Sequence, residues 1–445
     1  MIKLAEIFSD NMMLQRGLET IVYGEGDNGK GYVEIQGKKL EFVCENGKFE
    51  VILPELKAGD NFDMTICLGN DTRTIKNILV GDVYIAAGQS NMELQVLDTF
   101  EIETEDNLNI RYFEEGTKVN GDGIITYTNE GWRICEKEDA LRYSAVAYHF
   151  AQKLNKKTGV PVGIVSCNKG ASGIQTWVSK DITSKPCFAP TMYLKQDKYQ
   201  LYKFNLNSCL YYNKLLKVVP FTANGILWYQ GESNSDAGEA GNYLDMLKEL
   251  ISHWRSLWNK ELPFYIVQLM PYLSNPDYSD WAKVRDAQIR ASKTIPNVHT
   301  VTMVEVSDLS EIHPKNKKCV GEALANAVMN TLFDLKDTEY SGPVAEKCVV
   351  TENSVEVTFS HADGMWLDHT WFEDLYIFDG NGMSYEVNGR TADWEIKDDK
   401  LIVTWDKDIK PIGIKMGYWN APKHKLKNSS GYLASPFKML FSDKN

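Results

Sequence analysis

The middle of the chain alternates short apolar runs with amphipathic helical patterns, and this alternation limits the possible folds more than any other feature. The apolar runs are continuous, as expected for strands that are buried on both faces. They lie at 83–87, 162–165, 225–229, 264–267 and 300–304. The helical patterns lie at 140–156, 241–258, 281–294 and 319–333. This order predicts an α/β fold with a parallel sheet, helices on both of its faces, and ligands at the carboxyl ends of its strands.

Both ends of the chain show a different pattern, in which apolar and polar residues alternate between turn residues. The alternating segments are 20–24, 32–37, 49–54, 354–359 and 401–405. A period of two residues is typical of antiparallel sheets with one buried face. We therefore predict three parts: an N-terminal β domain at 1–78, a catalytic domain at 79–335, and a C-terminal, sandwich-like β region at 336–445.

The charge balance limits the partners. The 445 residues include 61 acidic and 48 basic side chains, a formal net charge of −13. A nucleic-acid-binding protein needs a basic face, so we expect no nucleic acid partner. No 18-residue apolar stretch predicts a membrane span, and the first residues lack the apolar core of a signal peptide. The protein is thus expected to be cytoplasmic, or to have lost its signal, and to have no membrane partner. The patterns leave its oligomeric state open.

Cysteine and histidine spacing gives no sign of a metal site. The eight cysteines are 44, 67, 135, 167, 187, 209, 319 and 348, and no two form a CxxC pair. Most are flanked by apolar residues, which indicates reduced thiols in the core. The seven histidines form no HxxxH pair. We therefore expect neither a metal nor an organic cofactor.

The first candidate for chemistry is Ser90. The apolar run at 83–87 ends at Gly88, and Ser90 follows two residues later. A turn at this position presents a hydroxyl at the carboxyl edge of the sheet, where it needs a base to become a nucleophile. A serine at such a turn is also a common helix N-cap, so this motif alone leaves a structural role open.

His313 is the best candidate for that base. It lies in a loop between a predicted buried strand and a predicted helix, and Pro314 restricts its backbone. The other histidines lie in helical patterns, at the start of a strand or in the C-terminal β region: 149, 253, 299, 361, 369 and 424. We interpret them as structural.

Two further loops follow predicted strands. Residues 230–234 are rich in amide and carboxylate groups, and residues 168–172 contain small side chains that let a ligand approach the backbone. Polar turns with helix N-caps are the alternative interpretation of the first loop. Together with Ser90 and His313, the two loops fit one acyl-transfer site with a nucleophile, a base and oxyanion donors.

Three motifs carry a family resemblance. Gly88-Gln89-Ser90-Asn91-Met92, Trp228-Tyr229-Gln230-Gly231-Glu232-Ser233-Asn234 and Ile312-His313-Pro314 closely resemble the sialate O-acetylesterase family, a branch of the SGNH hydrolases. Segments 8–15, 284–288 and 435–437 also resemble this family, so the resemblance extends over nearly the whole chain. It implies an SGNH-type central sheet and a serine esterase that removes O-acetyl groups from carbohydrates, with Ser90 as nucleophile and His313 as general base.

The resemblance also implies an oxyanion hole. Its donors would be the Ser90 N–H, the Gly170 N–H and the Asn234 side chain. Many relatives have a second glycine where this chain has Ala171, so Ala171 is an alternative donor to Gly170. The three other polar side chains of the motifs are expected to bind substrate: Gln89, Gln230 and Glu232.

The acid that orients the histidine is not settled by the resemblance. Many SGNH enzymes have an aspartate three residues before the histidine, and this chain has Ser310 there. Asp308 is our first candidate, Glu311 the second, and a Ser-His dyad without an acid the third.

The implied substrate is an O-acetylated sialic acid. Acetylated xylan or mannan, a catalytically inactive sugar-binding protein, and a lipase or thioesterase are the alternatives, although no lid-like apolar segment supports the last. Specificity is expected in loops 94–135 and 180–205. Trp177 and Trp228 could stack on a sugar ring, but we expect them to pack in the core.

Overall fold

The computed structural model describes residues 1–119, 125–189, 203–236, 238–274, 280–302 and 308–441. The strands of the first two-thirds are β1 (Lys3–Leu4), β2 (Met13–Gln15), β3 (Thr20–Glu25), β4 (Gly29–Ile35), β5 (Lys38–Cys44), β6 (Lys48–Leu53), β7 (Gly59–Leu68), β8 (Asp71–Gly88), β9 (Asn107–Val119), β10 (Ile125–Cys135), β11 (Val162–Asn168), β12 (Gly225–Tyr229), β13 (Phe264–Val267) and β14 (Val298–Val301). The helices are α1 (Ser90–Glu93), α2 (Lys137–Ala140), α3 (Ala145–Thr158), α4 (Lys180–Thr183), α5 (Cys209–Asn213), α6 (Tyr243–Trp258), α7 (Trp281–Thr294) and α8 (Lys318–Thr331). The remaining strands are β15 (Val344–Val350), β16 (Ser354–Ser360), β17 (Trp366–Leu367), β18 (Leu375–Asp379), β19 (Ser384–Glu386), β20 (Ala392–Lys397), β21 (Lys400–Trp405), β22 (Pro411–Met416), β23 (Leu426–Lys427) and β24 (Phe437–Leu440).

The chain divides into two compact units. The first contains Met1–Ser233, Asp245–Tyr265 and Lys315–Ala325. The second contains Asn234–Leu244, Ile266–Pro314 and Asn326–Asn445. Both units contain strands and helices, so the predicted mixed α/β class is confirmed.

The first unit is organised around β8. The first half of β8 pairs with β7 in antiparallel register, for example Thr65 with Thr74. Its second half pairs in parallel with β11 on one side and β12 on the other. The residues of this half, from Val80 to Gly88, are all buried, because neighbouring strands and both sheet faces cover them. The strand order is β10-β9-β11-β8-β12-β13.

Two features of the first unit differ from the sequence analysis. The boundary expected at 78/79 falls inside β8, whose alternating first half and apolar second half form one continuous strand. The region 94–135, expected to be a loop, contains the long antiparallel pair β9 and β10. The three-part division of the chain stays a prediction.

Helix α3 begins and ends later than the helix predicted at 140–156. Ser144 caps its N-terminus by accepting a hydrogen bond from the Ala147 N–H at 3.2 Å, and Gly159 ends it with a φ of 69°. The residues before this cap, 137–140, form the separate helix α2. The apolar periodicity continued across this break, so the pattern alone merged the two elements.

In the second unit, β14 lies beside the chain that follows β13, and the Gln268 N–H donates to the Val301 carbonyl at 3.0 Å. Helix α7 has the predicted bounds, because Asp280 caps its first turn through the Lys283 N–H at 3.2 Å. The last two residues of the apolar run at 300–304 lie outside the described residues.

The C-terminal part of the second unit contains the sheets β15-β16-β21-β20 and β19-β18-β22-β24. The alternating segments predicted at 354–359 and 401–405 are β16 and β21. Their inward residues share an apolar core that includes Val355, Val357, Leu375, Ile377, Leu401, Val403, Ile414 and Met416. The alternation thus arises because each strand has one face on this core.

The eight cysteines are all free thiols, as predicted. Cys44, Cys135 and Cys167 are buried, and the other five are partly exposed. The expectation of core thiols therefore holds for three of the eight.

Candidate active site

The turn after β8 presents Ser90. Gly88 has a φ of 139°, and a Cβ at this residue would lie 2.1 Å from the Tyr229 carbonyl oxygen. Only glycine fits this close approach of two strands. The next residue, Gln89, donates its N–H to the same carbonyl at 3.0 Å. Ser90 then begins α1 and is partly exposed, whereas Gln89, Asn91 and Met92 are buried.

Gln89 and Gln230 join the turn to the loop after β12. The Gln89 Oε1 accepts hydrogen bonds from the Gln230 Nε2 at 3.0 Å and from the Ser233 N–H at 3.1 Å. The Gln230 Nε2 also donates to the Ser172 carbonyl at 3.2 Å. Both glutamine side chains are buried, so their contacts hold three loops together around Ser90.

Asn91, Glu232 and Lys317 form a second buried network. The Lys317 Nζ donates to the Asn91 Oδ1 at 2.5 Å, and the Asn91 Nδ2 donates to the Glu232 Oε1 at 2.5 Å. Burial raises the pKa of Glu232, while the Asn91 hydrogen bond and the Lys317 charge act against this rise. Asn91 and Lys317 were not predicted as site residues from the sequence. Their signals were slight: one follows the serine directly, and the other is a lysine four residues after His313.

The loop after β11 brings Gly170 close to the serine. A Cβ built on Gly170 would lie 3.5 Å from the Ser90 Cβ. The Gly170 N–H donates to the Glu93 Oε2 at 2.6 Å. The next residue, Ala171, is exposed and has a φ of 60°, in a turn closed by the Ser172 N–H and the Lys169 carbonyl at 3.3 Å.

His313 lies in the second unit beside Glu311. The Glu311 Oε1 accepts the His313 N–H at 2.8 Å and lies 3.7 Å from the imidazole Nδ1. The Asp308 carboxylate accepts the Ser310 N–H at 2.8 Å and the Ser310 Oγ at 2.7 Å. These hydrogen bonds, the side-chain one first, lower the pKa of Asp308. Ser310 thus supplies two hydrogen bonds to the Asp308 carboxylate, while the Glu311 carboxylate lies within ion-pair distance of the imidazole.

Asn234 is also in the second unit. Its Nδ2 donates to the Glu239 Oε2 at 3.1 Å, and both side chains are fully buried. A charge-assisted hydrogen bond of this kind fixes the orientation of the amide group. Glu239 was not identified from the sequence.

The two tryptophans considered for sugar stacking lie in the core of the first unit. Trp177 and Trp228 are fully buried, and their rings meet edge to face with centroids 6.5 Å apart. This confirms the expectation that they pack in the core. Neither ring has an open face for a sugar.

Four of the histidines that we interpreted as structural have pKa values lowered by burial: His149, His253, His299 and His424. The pKa falls to about 4 for His149 and His299, and to about 3 for His424. These rings are therefore neutral at ordinary pH. His361 instead pairs with Glu339, with 2.8 Å between Nδ1 and Oε1.

The described residues lack both a candidate membrane span and a candidate metal cluster. None of the helices in those ranges has the length and apolarity needed to cross a membrane. The same residues contain no group of three or more His, Cys, Asp or Glu side chains that could hold a metal ion.

Known proteins resemble this chain over most of its length. A family model described as carbohydrate esterase, sialic acid-specific acetylesterase, matches residues 80–330. Mouse sialate O-acetylesterase is 23% identical over 415 residues, which cover 78% of this chain and 76% of the mouse protein. The human sialate O-acetylesterase is 24% identical over 393 residues, covering 78% and 74%. A solved carbohydrate acetylesterase from Xanthomonas citri has the same fold, with 24% identity, a TM-score of 0.84, and coverage of 99% of this chain and 100% of that one.

The fold and the matched region together define the class: the protein is a carboxylic ester hydrolase of mixed α/β architecture. More particularly, the chain belongs to the sialic acid-specific acetylesterase family of carbohydrate esterases, because the family model covers more than half of its residues. Its reaction is therefore the removal of O-acetyl groups from carbohydrates.

Proposed function

We propose that the protein is a serine esterase with Ser90 as the nucleophile and His313 as the general base. The observation that carries this proposal is the position of Ser90. It is a partly exposed hydroxyl at the end of a buried parallel strand, held by a glycine that no other residue can replace without a clash. Ligands in open α/β sheets bind at such strand ends. We infer that the sheet around β8 is the central sheet of an SGNH hydrolase.

The reaction would proceed in two acyl-transfer steps. His313 takes the proton of Ser90 as its Oγ attacks the acetyl carbonyl, and the sugar hydroxyl leaves with that proton. Water then attacks the acetyl-enzyme with His313 again as base, which releases acetate and restores the serine. The oxyanion of each tetrahedral intermediate would be held by the Ser90 N–H, an N–H of the Gly170–Ala171 pair and the Asn234 amide.

The contacts favour Glu311 over Asp308 as the acid partner of His313. Glu311 accepts the His313 N–H and lies within ion-pair distance of its ring, whereas Asp308 accepts hydrogen bonds from its own loop. We propose that Glu311 orients the imidazole and stabilises its charged form. Asp308 would shape the loop that carries both residues.

We assign Gln89, Gln230 and Glu232 to positioning. All three side chains are buried and hydrogen-bonded within the protein, so they hold the loops that carry Ser90 and the oxyanion donors. The substrate contacts expected for them from the sequence stay a prediction.

The family description and the names of the mouse and human relatives support an O-acetylated sialic acid as substrate. The test is acetate release from O-acetylated sialic acid, with acetylated xylan and mannan oligosaccharides measured in parallel. We expect release from the sialic acid ester and a loss of about 10³-fold or more in Ser90→Ala. Release only from the plant-type oligosaccharides would keep the serine chemistry and change the substrate.

A matched control and a chemical label test the nucleophile directly. Ser256→Ala removes an exposed hydroxyl of α6 that donates to the His253 carbonyl at 2.6 Å, and it should keep full activity. An organophosphonate should add its mass to the wild type and to Ser256→Ala but not to Ser90→Ala. Labelling of Ser90→Ala, or acetate release at the wild-type rate in that variant, would contradict the proposal.

A further inference from the structure

Glu93 is a carboxylate next to the proposed nucleophile, in the same helical turn as Ser90. Its Oε2 accepts the Gly170 N–H at 2.6 Å, and its Oε1 lies 3.3 Å from the Lys169 Nζ. Its side chain is 37% exposed. The carboxylate therefore lies where the loop after β11 meets α1, beside the site of attack.

The hydrogen bond from Gly170 limits what this amide can do. A backbone N–H has one hydrogen, and a short bond to a charged acceptor is about twice as strong as a neutral one. The Gly170 N–H cannot bond to Glu93 and to an acyl oxyanion at the same time. The next residue, Ala171, is exposed, and its N–H has no acceptor among the residues that the structure describes.

The backbone at Ala171 is held in an unfavourable conformation. A non-glycine residue with a φ of 60° costs about 1–2 kcal/mol and persists only where its surroundings fix it. Two anchors are present. Glu93 holds the Gly170 N–H on one side, and on the other side the Asn205 Nδ2 donates to the Ala171 carbonyl while its Oδ1 accepts the Gly173 N–H at 2.8 Å.

We propose that Glu93 is a positioning residue for the oxyanion hole. By binding the Gly170 N–H, it fixes the turn so that the Ala171 N–H is the donor to the acyl oxygen. This assignment rests on the proposed role of Ser90. It selects Ala171 from the two amides that the sequence left as alternatives, and it gives a carboxylate near the nucleophile a role without proton transfer.

The test compares substitutions of Glu93 that keep or remove the acceptor. Glu93→Gln keeps an oxygen for the Gly170 N–H, and Glu93→Ala removes it. Loss of an oxyanion donor lowers kcat by about 10²–10³-fold, so a donor that is displaced but still present should lower it by about 10–100-fold. We expect this loss in Glu93→Ala with KM changed less than about twofold, since the donor acts only in the transition state. Glu93→Gln should stay within about fivefold of the wild-type kcat.

Two further variants separate positioning from general damage. Glu93→Met keeps the side-chain length without an acceptor, and it should reproduce the loss in kcat if Glu93→Ala fails to fold. Glu114→Ala removes a glutamate of similar exposure, 36%, that pairs with Arg133 at 3.2 Å, and it should keep kcat within about twofold. Circular dichroism melting of each variant checks that the fold is retained.

The kcat values of the Glu93 variants either support the proposal or overturn it. Loss of kcat in Glu93→Ala and Glu93→Met with rescue in Glu93→Gln supports the proposal. Wild-type or faster turnover in folded Glu93→Ala or Glu93→Met, or a change in KM alone, overturns it. Ser90→Ala measured in the same assay reports on the proposed function. If Ser90→Ala is inactive and Glu93→Ala is fully active, only the proposed role of Glu93 is refuted. If Ser90→Ala is active, the proposed roles of Ser90 and Glu93 are both refuted.

Discussion

The identity of the acid beside His313 can be tested with two isosteric substitutions. Glu311→Gln removes the charge that lies 3.7 Å from the His313 Nδ1 and keeps an oxygen that can accept the His313 N–H. Asp308→Asn keeps an oxygen that can accept from Ser310 and removes a charge that faces its own loop. Because only one of these charges lies beside the imidazole, we expect the two variants to differ in activity.

The size of the effect follows from the exposure of the pair. Two charges about 4 Å apart attract by about 1 kcal/mol in water and about 4 kcal/mol at an effective dielectric of 20. The side chains of His313 and Glu311 are 39% and 42% exposed, which places the pair near the aqueous limit. A loss of about 1 kcal/mol in the transition state corresponds to about fivefold in rate. Glu311→Gln should therefore lower kcat/KM by about fivefold, far less than the roughly 10⁴-fold loss known for a buried triad aspartate.

Acetate release at several substrate concentrations gives kcat/KM for both variants, with His313→Ala as the reference for loss of the base. We expect a loss of about fivefold for Glu311→Gln and less than twofold for Asp308→Asn. A loss of a hundredfold or more in Asp308→Asn with an unchanged Glu311→Gln would refute the argument and restore Asp308 as the acid. Wild-type activity in both would leave a dyad of Ser90 and His313.

Three further substitutions test the structure around the serine. Lys317→Met removes a buried charge that acts on the Glu232 carboxylate and a hydrogen bond donated to Asn91, so urea unfolding should show a loss of about 1–3 kcal/mol, partly recovered in the double variant with Glu232→Gln. Burial raises the pKa of Glu232 in the folded state, so this loss of stability should shrink as the pH falls towards the pKa of Glu232 in the unfolded state, and grow as the pH rises. A loss that does not depend on pH, or no recovery in the double variant, would contradict this. Gly88→Ala places a Cβ 2.1 Å from the Tyr229 carbonyl oxygen and should lower both the unfolding free energy, by about 3 kcal/mol, and kcat; a wild-type melting temperature would show that the strands can separate. Ala171→Gly relieves the strain of a φ of 60° and should stabilise the fold by about 0.5–1 kcal/mol, seen as a higher melting temperature. A melting temperature at or below that of the wild type would contradict this backbone conformation.

Much of the fold could be predicted because a continuous apolar run in the sequence indicates a buried strand. Strands β12 and β13 and helix α7 have the predicted bounds, since each is a continuous buried run or a capped amphipathic repeat. The pair β9 and β10 was not predicted, because its strands mix charged and aromatic residues without a clear period. The continuity of β8 was missed because its two halves have different patterns, one half-exposed and one buried.

The residues of the candidate site could also be predicted only in part. The motifs predicted Ser90 and His313 as site residues because each follows a predicted strand in a loop. Lys317 and Glu93 could not be identified, because their roles depend on partners distant in sequence: Asn91 is 226 residues from Lys317, and Gly170 is 77 residues from Glu93. The ranking of Asp308 above Glu311 depended on loop backbone geometry that spacing does not determine.

The position of β8 in its sheet has a consequence for synthesis of the chain. Its neighbours β11 and β12 are made much later, and Gly88 meets the backbone of Tyr229. The buried Asn91, which bonds to Glu232, gains the hydrogen bond from Lys317 only when Lys317 has left the ribosome. The apolar second half of β8, which leads to Ser90, therefore emerges before its parallel neighbours β11 and β12. Exposed apolar segments of this kind aggregate during slow folding of parallel sheets. We expect nascent chains that stop before Lys317 to depend on chaperones and to lack esterase activity, although they already contain the serine.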